Sequence, residues 1–172
     1  TTDIGKRFFV DVVVSDFTGD GKPDAVAGRS ANDQTSANEG VFEVHTGNGD
    51  GTFSVIPSQR LILPASVGEL HVVDVDSDGD EDVLTNNTPN ITLLVNDGSG
   101  QFTPGSTNVT GSVLEANDFT GDGTPDMLTL TSVSGQSRLL TWFGTGTNQF
   151  TQITNTSIQA MIGAGWGHVL GD

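Results

Sequence analysis

An all-β chain of repeated four-stranded antiparallel units is predicted by three features of the sequence. They are a nine-residue acidic pattern that occurs three times, a Gly-rich pattern ending in Phe that follows each copy, and short β-branched runs flanking both. The acidic pattern reads D-F-T-G-D-G-K-P-D from Asp16 to Asp24, D-V-D-S-D-G-D-E-D from Asp74 to Asp82, and D-F-T-G-D-G-T-P-D from Asp118 to Asp126. Its first aspartate recurs after 58 and then 44 residues. Four short strands at such a spacing is the period of a β-propeller blade. The 172 residues then make about three blades, with repeats over roughly 8–56, 66–104 and 110–152. A fourth opens at 164–172, where His168-Val169-Leu170-Gly171 leads to Asp172 as a first loop residue would be led to.

The strands follow from local pattern. Val12 to Val14 and Ala25 to Ala27 flank the first acidic loop, Leu70 to Val73 and Val83 to Thr85 the second, and Leu114 to Ala116 and Met127 to Leu130 the third. These runs are too short for helices and rich in β-branched residues. A longer loop follows each pair, and then a third strand: Val41 to His45, Ile91 to Val95 and Leu139 to Phe143. The Gly-rich turns G-N-G-D-G-T-F from Gly47, N-D-G-S-G-Q-F from Asn96 and G-T-G-T-N-Q-F from Gly144 are hairpin signals leading to a closing strand. Their terminal phenylalanines, Phe53, Phe102 and Phe150, are expected to plug the core.

The acidic loops carry the chemistry. Oxygen-bearing side chains stand at positions 1, 3, 5 and 9 with glycine at 6: Asp16, Thr18, Asp20 and Asp24 around Gly21; Asp74, Asp76, Asp78 and Asp82 around Gly79; Asp118, Thr120, Asp122 and Asp126 around Gly123. Alternate inward side chains and a sharp turn are what a loop needs to wrap a hard cation. A main-chain carbonyl from Lys22, Asp80 or Thr124 would complete six or seven oxygen ligands, a set that suits Ca²⁺ better than Mg²⁺. Position 12, where an EF-hand or dockerin loop places a carboxylate, holds Ala27, Thr85 and Thr129, which excludes both. The spacing also excludes a nonapeptide β-helix, and tightly spaced, cysteine-bearing thrombospondin-type repeats do not match. Without a cation, the carboxylates crowded into each loop would repel one another. About three Ca²⁺ ions are expected, one per complete loop, and loop 2, with six acidic residues, is expected to bind most tightly.

Strand, D-x-[DT]-x-D-G-x-x-D, strand and later G-x-G-x-F resembles the FG-GAP or VCBS repeat, the blade unit of integrin-α-like β-propellers. The resemblance runs over nearly the whole chain. It implies calcium in the loop joining the first two strands of each blade, where it stiffens the hairpin. The Phe-Gly and Gly-Ala-Pro signatures of the integrin form are absent as such, so the VCBS variety is the nearer likeness and integrin-type ligand binding is not implied.

Composition bounds the partners. With 22 acidic and 6 basic residues the net charge is −16, and the basic residues are scattered, so neither nucleic acid nor an anionic membrane surface is an expected partner. Twelve of the acidic residues lie in the three loops, and three bound Ca²⁺ would bring the charge to about −10. No apolar run approaches a membrane span, and the absence of cysteine removes thiol chemistry. A first residue of Thr, and an end at Asp172, suggest a processed or excised piece of a longer propeller. Three open blades need further blades in the parent chain, or self-association, to close the ring.

No enzyme is expected. There is no nucleophile elbow, zinc helix or phosphate loop. His45, His71 and His168 share no spacing, and nothing singles out Glu39, Glu43, Glu69 and Glu115 as a catalytic pair. Trp142 and Trp166 read as packing between blades rather than a sugar platform, although Gly165-Trp166-Gly167-His168 resembles a segment of lectins built from related blades. Sequons at Asn86, Asn90, Asn108 and Asn155 would matter only in a eukaryotic secretory pathway. The expected function is a calcium-binding, secreted or cell-surface propeller that binds an extracellular protein or glycan in adhesion or carbohydrate recognition. The alternative is an auxiliary, non-catalytic propeller segment of a larger secreted enzyme, such as a polysaccharide-active one. Weak calcium loops, filled outside cells and largely empty in cytosol, favour an extracellular site.

Overall fold

The computed structural model describes residues 9–29, 39–87 and 90–157. Twelve strands form three four-stranded antiparallel sheets in chain order. The first contains β1 (Phe9–Ser15), β2 (Asp24–Arg29), β3 (Gly40–His45) and β4 (Gln59–Leu63). The second contains β5 (Leu70–Val73), β6 (Asp82–Asn87), β7 (Asn90–Asn96) and β8 (Phe102–Gly105). The third contains β9 (Ser112–Asn117), β10 (Asp126–Val133), β11 (Gln136–Gly144) and β12 (Phe150–Ser157). Among the described residues there is no helix, and so none able to cross a membrane. The expected start of a fourth unit at 164–172, with Trp166, His168 and Asp172, lies outside the described residues.

Alternation along each strand directs one face to a neighbouring sheet. Val26, Phe42, Val44 and Leu63 of the first sheet meet Leu70, Val83, Leu94 and Phe102 of the second in one apolar core, with Phe17 from the first acidic loop. Leu84 and Leu93, on the opposite face of the second sheet, meet Val113, Met127, Leu140, Trp142 and Phe150 of the third, with Val75 from the second loop. The middle sheet is thus covered on both faces, and β6 opens on four buried residues, Asp82 to Thr85; β2 of the first sheet is likewise buried along its whole length.

Polar side chains fasten these junctions. Gln59 clamps both main-chain groups of Phe102, its Nε2 donating to the carbonyl at 2.8 Å and its Oε1 accepting from the N–H at 2.8 Å. Asn108 does the same to Phe150 at 2.6 and 2.8 Å. Asn86 grips Val113 in like fashion, at 3.0 and 2.8 Å. Gln59 and Asn108 each stand six residues after their own unit's hairpin phenylalanine.

Two expectations need correction. Phe102 and Phe150 are buried, but Phe53 is 38% exposed. In the first unit Phe53 makes only an isolated bridge to Gly47, and the closing strand waits until Gln59. Phe102 is buried because its edge meets Phe17 and Phe42 of the preceding sheet, at centroid distances of 5.6 and 5.1 Å. Phe53 has no preceding sheet among the described residues. The second correction concerns the long loop expected after Leu130. In the third unit β10 runs on to Val133 and turns through Ser134 and Gly135, at φ 52° and 75°, straight into β11. That pair of left-handed residues is the geometry of a two-residue hairpin. Trp142 is buried, its indole N–H donating to Thr129 Oγ1 at 3.0 Å, in keeping with a packing role.

Candidate metal centre

Each acidic loop joins the first two strands of its sheet, and the three fold alike. The position-1 carboxylate turns back over its own loop. Asp16 accepts from the N–H groups of Asp20 and Gly21 at 3.1 and 2.8 Å, Asp74 from Asp78 and Gly79 at 3.1 and 3.0 Å, and Asp118 most closely from Gly121 and Gly123 at 2.6 and 2.9 Å. The position-5 carboxylates of Asp20, Asp78 and Asp122 accept from the position-7 N–H of Lys22, Asp80 and Thr124 at 2.9, 3.0 and 2.9 Å. The glycines at position 6 take the left-handed φ values of 81°, 98° and 86° that the turn demands. At position 4, loops 1 and 3 have glycine, whereas loop 2 holds Ser77 at φ 61°.

The position-9 aspartates are fully buried and do something the spacing does not reveal. Asp24 accepts from Thr18 N–H at 3.0 Å with one oxygen and from Gly47 N–H at 2.8 Å with the other. Asp82 does so from Val75 and Asn96, at 2.9 and 2.8 Å. Asp126 takes Phe119, Thr120 and Gly144, at 2.9, 3.1 and 3.0 Å. Each therefore ties the acidic loop to the start of the Gly-rich hairpin of the same sheet. Such carboxylates bonded to N–H groups are among the stronger hydrogen bonds in proteins. The hairpin comes so close that a Cβ on Gly47 or Gly144 would overlap the carbonyl oxygen of Pro23 or Pro125, which is why glycine stands there.

The loops differ in electrostatics. In loop 2, Asp74, Asp76 and Asp78 bring carboxylate oxygens within 4.8 Å of one another. Burial pushes the Asp76 carboxyl above its ordinary range, and the charges of Asp78 and Asp74 add to the effect. Asp82 is pushed up to about 6, chiefly by burial, against the pull of the N–H groups of Asn96 and Val75. Glu81 is raised too, by burial first and Asp74 second. In loop 1 the Lys22 N–H, and then its ammonium at 3.2 Å, hold Asp20 low. In loop 3 the Gly123 N–H does this for Asp118, and the Thr124 hydroxyl for Asp122. Loop 2 is thus a cluster of anions short of positive charge, while the exposed carboxylates of the other loops have donors at hand.

The donor set of loop 2 fits a hard divalent cation. Its three clustered side-chain donors are carboxylate oxygens, and Asp76 Oδ1 is buried with no hydrogen-bond partner, an expensive state for an anionic oxygen unless something positive faces it. Thr18 and Thr120 replace the middle carboxylate in loops 1 and 3, where Thr120 Oγ1 lies 3.3 Å from Asp118 Oδ1. In loop 1 the Lys22 ammonium already occupies an oxygen of Asp20, so a cation there would have to displace it.

Stacked four-stranded antiparallel sheets, each opened by an acidic loop and fastened to the next, define a blade-type β-repeat protein, the kind of scaffold that serves as a binding module. A family model for the FG-GAP-like repeat matches residues 16–85 and again 74–129. Each match begins on the first aspartate of an acidic loop, and together they span more than half of the chain. The protein belongs to the FG-GAP-like repeat family. Comparison with curated proteins gives no match.

Proposed function

We propose that this chain is a calcium-stabilised propeller segment that works outside cells as a binding module, for a protein or glycan ligand, and carries out no catalysis. The observation that carries the reading is the loop-2 cluster, with three carboxylates within 4.8 Å and a buried, unpartnered Asp76 oxygen. Asp74, Asp76 and Asp78, with the Asp80 carbonyl, would hold the ion there. Asp16, Thr18, Asp20 and the Lys22 carbonyl are the corresponding set in loop 1, and Asp118, Thr120, Asp122 and the Thr124 carbonyl in loop 3. Asp24, Asp82 and Asp126 close each set from the second strand. The ion would supply positive charge that lets the carboxylates stay ionised in a compact loop. The protein's own contribution is to carry that order inward: the position-9 aspartates join each loop to its hairpin, and Asn96 Nδ2 donates to the Phe17 carbonyl at 2.9 Å, joining a hairpin to the loop of the sheet before.

Extracellular calcium would keep such loops filled, whereas cytosolic calcium would not. Isothermal calorimetry with CaCl₂, in parallel with a glycan array, tests the proposal. Binding at two or three sites with stabilisation against urea is expected, with loop 2 tightest and with capture of a ligand without turnover. No calcium uptake at millimolar concentration would defeat the calcium reading. Conversion of a glycan by this chain alone would defeat the non-catalytic one.

A further inference from the structure

Asn96, at the start of the second Gly-rich hairpin, is 2% exposed and spends its side chain on the two acidic loops beside it and on its own turn. Its Nδ2 donates to the Phe17 carbonyl of loop 1 at 2.9 Å and to the Glu81 carbonyl of loop 2 at 3.2 Å, while Oδ1 accepts from the Gly100 N–H at 3.1 Å. Its main-chain N–H bonds Asp82, the position-9 carboxylate of loop 2, at 2.8 Å. Phe17 stands between Asp16 and Thr18, two side chains of the loop-1 set. The same hairpin is packed against both loops. A Cβ on Gly98 would overlap the Asp80 carboxylate of loop 2, and one on Gly100 would meet the Thr18 methyl of loop 1 at 2.9 Å.

The hairpin between loops 2 and 3 is built differently. Gly144 takes the place of Asn96. Its N–H serves Asp126 at 3.0 Å, as that of Asn96 serves Asp82, but it has no amide to reach the Val75 carbonyl. Nor would one fit, since a Cβ there would overlap the Pro125 carbonyl oxygen. A Cβ on Gly146 would stand 3.6 Å from the Thr124 methyl and 3.7 Å from Ser77 Oγ, ordinary contacts where the second hairpin is tight.

We propose that Asn96 couples loops 1 and 2, so that order in one raises the calcium affinity of the other, while loop 3 is not so linked. This rests on the calcium reading of the loops and concerns how they fill. With loop 2 ordered, Asp82 and the Glu81 carbonyl fix Asn96, and its amide holds the Phe17 carbonyl between two ligand positions of loop 1. Loop 1 then has less freedom to lose on binding, which is positive cooperativity. Loop 1 needs such help, because the Lys22 ammonium competes for Asp20. Loop 2 is strengthened in return by the same factor, since coupling between two sites is reciprocal.

The test is a CaCl₂ titration of the full chain carrying isotope-labelled glycine, followed by nuclear magnetic resonance. The position-6 amides of Gly21, Gly79 and Gly123 report the three loops separately. Loop 2 is silenced by Asp76→Asn with Asp78→Asn. That pair removes two negative charges where the missing ion removes two positive ones, so the field at the other loops stays that of a loaded loop 2. Silencing should weaken the Gly21 titration by about five-fold, the worth of one buried hydrogen bond, and leave that of Gly123 within about two-fold. Thr18→Ala with Asp20→Asn, which silences loop 1, should weaken the Gly79 titration by the same factor. Asn96→Gly, the residue the third unit already has, should lower loop-1 affinity by itself and make it indifferent to silencing of loop 2. Should Asn96→Gly misfold, the two silencing arms decide alone, since both keep Asn96 in place. Gly21 and Gly79 titrating independently, Gly123 responding to loop 2 as strongly as Gly21, or a coupling that survives Asn96→Gly would each overturn the proposal. Independent titrations leave the calcium reading standing, whereas no shift at any of the three glycines defeats both.

Discussion

Replacing Asp76 by Asn should make the protein more stable without calcium and less stable with it. Three carboxylates with oxygens within 4.8 Å repel one another by at least about 0.9 kcal/mol per pair at the dielectric of water, and by about 3.5 kcal/mol at an effective value near 20. Asp76 faces two such neighbours, so removing its charge relieves about 2 kcal/mol even at the water limit. The new amide can also donate to a neighbouring carboxylate. In EDTA the urea midpoint should therefore rise by about 1 M, for an m value of about 2 kcal/mol/M. Calcium at about a hundred times its dissociation constant stabilises the parent by about 2.7 kcal/mol. Most of the loop-2 share of that gain should vanish in Asp76→Asn, so the two stability orders cross. Urea unfolding followed by far-ultraviolet circular dichroism, with EDTA or millimolar CaCl₂, measures both arms. A variant less stable than the parent in EDTA, or one that gains as much from calcium, would refute the argument.

The pH dependence without metal has a definite sign. Asp82 is raised from 3.8 to about 6, so between those values the folded state binds more protons than the unfolded one and stability falls as pH rises. Asp76 and Glu81 move the same way. The urea midpoint in EDTA should drop from pH 4 to pH 6, and calcium, which favours the ionised carboxylates, should remove or reverse the slope. A flat profile in EDTA would count against the burial argument. Phe102→Ala, which empties a site between Phe17 and Phe42, should cost about 3–5 kcal/mol. Phe53→Ala should cost under about 1 kcal/mol in dilute, monomeric protein. Equal losses in the two variants would contradict the junction geometry.

The sequence made most strands legible because they are pinned by an acidic loop or a Gly-rich turn whose residue types serve one purpose, β4, which starts only at Gln59, being an exception. Leu70 to Val73 is an expected run that matches its strand to the residue. Elsewhere the strands extend beyond the apolar core of the run, as at Thr131 and Ser132, where polar residues continue a ladder that periodicity alone would end. The common turn of the acidic loops was legible by spacing, and so was the closeness of Asp74, Asp76 and Asp78 in loop 2. The inward role of Asp24, Asp82 and Asp126 was not, because their hairpin partners lie 14 to 23 residues away and present only main-chain N–H groups. The exposure of Phe53 was hidden for a related reason. A repeated residue signals a repeated environment, but only the folded stack shows which copies have a neighbour. The amides of Gln59, Asn86 and Asn108 leave no trace in a single sequence, since what they grip is backbone 27 to 43 residues on.

Those clamps bear on how such a protein can evolve. Gln59 and Asn108 hold the N–H and carbonyl of the following hairpin residue and make no demand on its side chain. A duplicated unit inserted into the gene would therefore meet a fastening it already fits, without a compensating substitution in its neighbour. Growth and shortening of the array by whole units is the change this fastening tolerates most readily, whereas insertion of a single residue between a hairpin phenylalanine and the amide six positions later would throw the clamp out of register.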